Sequence, residues 1–429
     1  MISAEVYLWG TRIGVVAQED INSIPLFNYD DKFLKSRIEV SPIAMPLSKQ
    51  VYSFSGLNKE SFYGLPGLLA DSLPDKFGTK LIERYLAEQG RELKSLTAVE
   101  RLCYVGNRGM GALEYVPAIG YSKGGDGSID INLLVKLASD ILAERKSLHI
   151  SANSDAMRQI IRIGTSAGGA RAKAVVAWNE STNDIRSGQI DAGSGYGYWL
   201  IKFDGIENNK DKGDKVDGPT FTRIEYAYAL MAQAAKIEMK ECRLYRESGH
   251  YHFMTRRFDR ELDTGKKIHM QTLGALAHFD YNSPGAYSYE QVAQILYQLG
   301  MGQKEVEELF RRMVFNIFAR NQDDHVKNIS FLMNTKGVWS LAPAYDLTFA
   351  YEPNNYWLSR HQMSMQGKVN RFKKEDFFAC GKQMNISKRK MERIIEEVRS
   401  AVVNWDSYAE QAYLDEKVAK EIQEQFECI

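Results

Sequence analysis

The chain has 429 residues, 44% hydrophobic and 26% charged, with Lys plus Arg equal to Asp plus Glu and a pI near 7.1. That length allows two or three cores, since domains usually run ~100–200 residues, and the composition excludes a disordered, collagen-like or coiled-coil chain. A net charge of zero excludes a whole-chain basic field for nucleic acid, and no apolar run approaches the ~20 residues that span a bilayer, so a cytoplasmic protein with no membrane partner is expected.

The first residues lack the basic and apolar regions of a signal peptide and read as a β-strand. Cys103, Cys242, Cys380 and Cys428 form no CxxC pair and read as reduced thiols. Residues 1–118 mix short strand-like runs with Gly, Asn and Asp turns, and hold one clear helical stretch at about 74–89. The glycine-rich segment 120–127 reads as a linker, followed by a helix over 131–144. From about 160 to 258 the pattern is β-rich, with strands at 174–178 and 198–203, loops at 179–197 and 204–218, and one helix starting near Thr222. From about 281 onward it is mainly helical. Ser288 with Gln291 fits a capping box, and Gly300 fits the stop of the helix it opens. Val306, Leu309, Phe310, Met313, Val314, Ile317 and Phe318 fall on one face of the next helix, which ends just before Asn321.

After that anchored helix stands Asn321-Gln322-Asp323-Asp324-His325-Val326-Lys327-Asn328. The Asp-x4-Asn spacing equals that of a kinase catalytic loop, in which the Asp accepts a hydroxyl proton and the Asn binds magnesium. An apolar strand (329–333), a turn (334–337) and a second strand (338–341) read as a β-hairpin that brings Asp346 back toward Asn328. Asp and Asn in isolation are ordinary loop residues; helix, loop, hairpin and second Asp in series point to phosphoryl transfer with ATP and Mg2+. Upstream, the Gly-rich loop 163–173 lets backbone N–H groups approach phosphate oxygens, although Ala170 stands where a Walker A loop requires Lys. Lys202 interrupts an apolar strand and needs a partner if buried, for which Glu225 on the following helix is the candidate. The strand-like segment 253–260 lies where the β-rich half meets the helical half, as a hinge would.

Six segments in order resemble the HipA family of toxin–antitoxin kinases: 64–75, 104–113, Ser166-Ala167-Gly168-Gly169-Ala170-Arg171-Ala172-Lys173, Arg257-Phe258-Asp259-Arg260, 321–328 and Ala342-Pro343-Ala344-Tyr345-Asp346. The resemblance implies an α/β (α+β) kinase-like fold: a β-rich N-terminal region (1–120), a kinase N-lobe (121–265) and an all-helical C-lobe (266–429). It implies Asp323 as catalytic base and Asn328 and Asp346 as metal ligands. The ATP site would be lined by Gly168, Gly169, Ala170, Arg171, Ala172, Lys173, Lys202, Arg256, Arg257, Phe258, His325, Val326, Lys327, Asn328, Tyr345 and Asp346. It further implies autophosphorylation at Ser166, whose added charge would eject the phosphate loop, a helix-turn-helix antitoxin of the HipB type, operator DNA reached through that antitoxin, and a protein substrate such as glutamyl-tRNA synthetase. Arg256 departs from the family's usual hinge Glu, and the loop lacks the acidic residue often found before its Lys.

Three other readings stand beside this one. Gly164-Thr165-Ser166-Ala167-Gly168 satisfies the G-x-S-x-G pattern of serine hydrolases, but a nucleophile elbow leads into a helix, whereas 174–178 is β-like. An inactive kinase-like co-repressor would be favoured by loss of Lys202, Asp323 or Asp346, all of which are present. A small-molecule kinase would share the Asp/Asn/Asp set and is opposed only by the N-terminal motifs.

Overall fold

The first strand, β1 (Ile2–Leu8), buries alternate residues Ala4, Val6 and Leu8, the period-2 pattern of a sheet with one face on a core. It pairs antiparallel with β2 (Thr11–Gln18), and with β3 (Leu26–Tyr29) and β4 (Leu113–Val116) forms a sheet of order β3-β2-β1-β4. Between β3 and β4 run α1 (Lys76–Glu88) and α2 (Ala98–Val105). The Asp75 side chain caps α1, and a Thr97/Glu100 capping box opens α2. This computed structural model describes residues 1–119, 129–142, 171–189, 192–206, 220–262 and 264–427. The expected linker at 120–127, together with Ser166, Gly168, Gly169 and Ala170, lies outside the described residues.

Beyond α3 (Ile131–Leu142), five strands form a second sheet: β5 (Lys173–Asn179), β6 (Asp184–Ser187), β7 (Gly197–Lys202), β8 (Cys242–Glu247) and β9 (His250–Arg256), in the order β6-β5-β7-β9-β8. The helix α4 (Phe221–Ala234) packs against β8 and β9. Phe77 and Leu81 of α1 join Ala174, Val176 and Ile201 in the core of this sheet, while Ile82 and Leu86 pack with Leu96 and Tyr104, so α1 bridges the N-terminal domain and the lobe that follows it.

A small sheet, β10 (His269–Thr272) with the hairpin β11 (Ser330–Met333) and β12 (Trp339–Leu341), sits among the helices of the C-terminal lobe. Those helices are α5 (Tyr289–Gln298), α6 (Gln303–Phe318), α7 (Lys374–Gln383), α8 (Lys388–Val403), α9 (Trp405–Gln411) and α10 (Glu416–Gln423). The capping box of Ser288 and Gln291 opens α5, and Gly300 follows its end at φ +78°. α6 is the spine of this lobe, with Val306, Phe310, Met313, Val314, Phe315 and Phe318 all fully buried. Its core is continuous with that of the N-terminal sheet. The short helix Gly67–Ala70 lies against Leu273–Ala277 so closely that a Cβ on Gly67 would overlap the Ala275 carbonyl, and the Gly67 N–H donates to His278 Nε2 at 2.9 Å.

Burial pushes both His252 and His269, each 0% exposed, down to a pKa of about 4. Their neutral forms are therefore favoured by folding. Their contribution is fully present above the unfolded value near 6.5 and is lost as pH falls toward 4, by up to ~1.4 kcal/mol per pH unit for each ring. Thermal melts between pH 7 and 4 are expected to show a midpoint falling steeply below pH 6.5. A flat midpoint across that range would contradict the burial of these rings as neutral species.

Candidate active site

Lys173 and Lys202 are direct cross-strand partners of β5 and β7, so their side chains leave the sheet on one face. Lys202 is 4% exposed. Its Nζ donates to Glu225 Oε1 of α4 at 2.6 Å and to Asp346 Oδ1. Burial works against the Lys202 charge, but Asp346 and Glu225 outweigh it and hold the ammonium above its ordinary range. Burial likewise tends to raise Asp346, yet Lys202 and then Lys173 hold its carboxyl well below the usual carboxylate range, so it is ionised at neutral pH. At Glu225 burial prevails over the opposing pull of Lys202, and its carboxyl is raised. A Lys in an apolar strand is thus paired as its burial requires.

Asp346 arrives from β12 in a left-handed backbone conformation, φ +54°, uncommon outside glycine. The preceding Tyr345 fixes it: the Tyr345 hydroxyl donates to the Lys327 carbonyl at 2.5 Å and meets Ser330 Oγ, tying the end of the hairpin to its beginning. The Tyr345 ring lies 5.5 Å from that of Phe258.

The loop after α6 is held from below. Asn321 Nδ2 donates to Asn316 Oδ1 at 2.9 Å, Asn316 Nδ2 to Tyr289 OH at 3.1 Å, and Tyr289 OH to Asp324 Oδ2 at 2.7 Å. Asp324 also accepts from the Gln362 N–H at 2.7 Å and from His361 Nδ1 at 2.9 Å. Burial alone would raise the Asp324 carboxyl, but His361, Tyr289 and the Gln362 N–H keep it lowered. Of the adjacent acids, therefore, Asp324 is the scaffold and Asp323 the outward group, its side chain 18% exposed. The Asp323 carbonyl accepts from Asn328 Nδ2 at 2.8 Å and from the His325 N–H at 2.9 Å, while His325 Nε2 lies 3.8 Å from Asp323 Oδ1. Asn328 donates through its amide nitrogen, so only its Oδ1 would ligate a cation. Among the described residues no three His, Cys, Asp or Glu side chains gather as a metal cluster. One carboxylate and one amide oxygen suit magnesium, which keeps places for phosphate and water.

The remaining sequence-predicted residues divide. The Arg171 guanidinium lies over the Phe221 ring at 4.9 Å, and Ala172 is buried at the head of β5. Arg256 lies over Trp199 at 5.0 Å and 3.7 Å from Glu241. The Arg257 side chain is committed to a buried ion cluster: it donates to Asp259 at 2.8 and 2.7 Å, and Asp259 also accepts from Arg260 at 2.9 Å and from the Gly111 N–H at 2.8 Å. Val326 is core. The Lys327 Nζ lies over the Tyr281 ring at 4.3 Å. Burial lowers the Lys327 pKa, with Asp71 and Asp75 opposing. A cavity of about 400 Å3 between 258–262, α6 and the hairpin is lined by Phe258, Arg260, Glu308, Arg312 and Leu341, and reaches neither Asp323 nor Asp346.

Sequence reasoning did not assign Asp71 or Asp75 to this neighbourhood. Asp71 accepts from Thr272 N–H at 2.7 Å and Thr272 Oγ1 at 2.8 Å, and Asp75 Oδ2 lies 3.9 Å from Lys173 Nζ. Asp75 offers only the local signal of an Asp preceding a helix, which its cap explains fully, and Asp71 follows the short helix Gly67–Ala70.

Residues 4–116 match the HipA N-terminal domain family and residues 165–405 the HipA-like C-terminal domain family. No curated protein matches the chain in sequence. Among solved structures, HipA of Shewanella oneidensis MR-1, determined with HipB and operator DNA, is 14% identical, with a TM-score of 0.66 over 98% of this chain and 94% of that one. That likeness is one of fold. The proinflammatory kinase CtkA of Helicobacter pylori is 14% identical, with a TM-score of 0.31 over 53% of this chain and 92% of that one.

Proposed function

This chain belongs to the HipA family of type II toxin–antitoxin systems, and we propose that it is the cytoplasmic toxin kinase of such a pair, transferring the γ-phosphate of ATP to a serine or threonine of a protein. The observation that carries the proposal is the buried Lys202 bracketed by Glu225 and Asp346. A strand lysine oriented by a helix carboxylate beside an ionised Asp is what phosphoryl transfer asks of a protein that positions a triphosphate.

In this reading Asp323 accepts the proton of the attacking hydroxyl, and the network beneath Asp324 keeps it at the loop surface. Asn328 and Asp346 hold magnesium, which when bound neutralises charge on the phosphate oxygens. Lys202, Lys173 and Arg171, with Gly168, Gly169, Ala170 and Ala172, receive the phosphates. Arg256 and Phe258 flank the adenine, and Tyr345, His325, Val326 and Lys327 line the ATP site; Arg257 contributes backbone, its side chain being occupied. The divisions 1–120, 121–265 and 266–429 serve as N-terminal domain, N-lobe and C-lobe. Ser166 in the phosphate loop is the self-phosphorylated residue. The partners are a HipB-like helix-turn-helix antitoxin, operator DNA through it, and a substrate of the aminoacyl-tRNA synthetase class, glutamyl-tRNA synthetase first among them.

Incubating the purified chain with γ-labelled ATP, magnesium and a cell lysate is expected to label one prominent protein and the chain itself, both on serine or threonine. No transfer from labelled ATP to any protein would sink the kinase assignment.

A further inference from the structure

Asp75 takes no part in phosphoryl transfer as described, yet it faces the phosphate-binding cations. Its Oδ1 accepts from the Gly78 N–H at 2.6 Å and opens α1. Its Oδ2 is buried, has no hydrogen-bond partner, and lies 3.9 Å from Lys173 Nζ, the two side chains being 6% and 4% exposed. Packing holds the carboxylate there: Phe77 and Leu81 of α1 share a core with Ala174, Val176 and Ile201. Lys202, the neighbour of Lys173 across the strand pair, is taken by Glu225 and Asp346. Burial raises the Asp75 carboxyl, with Lys173 first among the groups that oppose it, followed by the Gly78 N–H and Lys327. An attraction at ion-pair rather than hydrogen-bond distance is one that phosphate oxygens outcompete.

We propose that Asp75 is an internal competitor of the nucleotide: its carboxylate holds the place of a phosphate beside Lys173, weakens triphosphate binding, and couples that binding to the docking of α1. The inference rests on the kinase reading, with Lys173 as a phosphate contact. Coupling is reciprocal, so ATP weakens the hold on α1 by as much as Asp75 weakens the hold on ATP.

The test is calorimetric binding of MgATP and of AMP to the full chain, the Asp75→Asn variant and the Asp75→Ser variant. Both substitutions keep an oxygen for the Gly78 N–H, so the cap of α1 survives while the charge goes. The ATP Kd is expected to fall about five- to tenfold in both variants, with a smaller change for AMP, as removal of one repulsive charge at this range dictates. Amide exchange over 76–88 is expected to quicken on adding ATP to the wild type and not to the variants. Unchanged or weaker ATP binding in both variants overturns the competitor role and leaves the kinase reading standing. A wild-type chain that binds no ATP overturns the kinase reading, and this inference with it.

Discussion

Asp323→Ala is expected to cut transfer of labelled γ-phosphate by about 10²–10⁴-fold, the usual worth of a positioned general base, while the thermal midpoint stays within a degree or two of wild type. The separation of the two effects follows from the wiring of the loop. Asn328 and His325 bond to the backbone carbonyl of Asp323, which survives truncation, and the buried network beneath runs through Asp324. Only the partly exposed carboxylate is removed. ATP binding, measured separately, is expected to persist, since the proposed phosphate contacts are Lys202 and Lys173 and neither is altered. Transfer at the wild-type rate would exclude Asp323 as the base.

Lys202→Met is expected to abolish nucleotide binding and also to cost about 3–5 kcal/mol of stability, because Glu225 and Asp346 lose the cation that balances them. The pH dependence separates this from ordinary packing damage. Without Lys202 both carboxyls titrate higher in the folded variant than in the folded wild type, so protonation penalises the variant less than the wild type. The deficit against wild type is then full near neutral pH and shrinks as pH falls toward 4. A deficit constant with pH would mean that the loss is steric.

The helix, loop and hairpin around Asp323 were legible because each is written locally. The 3.6-residue period of α6 is carried by Val306, Phe310, Met313 and Ile317, and the hairpin by an apolar run, the turn at Asn334–Gly337 and a second run. Lys202 was legible as an anomaly, a charge in a strand that burial would penalise, and its pairing with Glu225 followed from the helix that comes next. What escaped was non-local. Asp71 meets Thr272 and Asp75 meets Lys173 across separate elements, and an Asp that caps a helix leaves no surplus pattern to read. Arg257 and Asp259 stand two residues apart, but the pair is buried in a cluster completed by the Gly111 N–H, and that contact is the non-local part. The Asp323/Asp324 pair shows the converse limit. Adjacent identical residues take opposite duties, and only the positions of Tyr289, His361 and Gln362 tell them apart.

The core that runs unbroken from the N-terminal sheet to α6 has a consequence for how the protein is made. At ~5–20 residues per second, a ribosome that has finished the first sheet needs on the order of tens of seconds more to deliver α6. Through that interval Leu65, Leu68 and Leu69 have no apolar partner from the later half of the chain. The nascent protein thus carries an unfinished hydrophobic face until translation is well advanced, and a prematurely truncated product would keep it for good, as a natural target for chaperones and proteases.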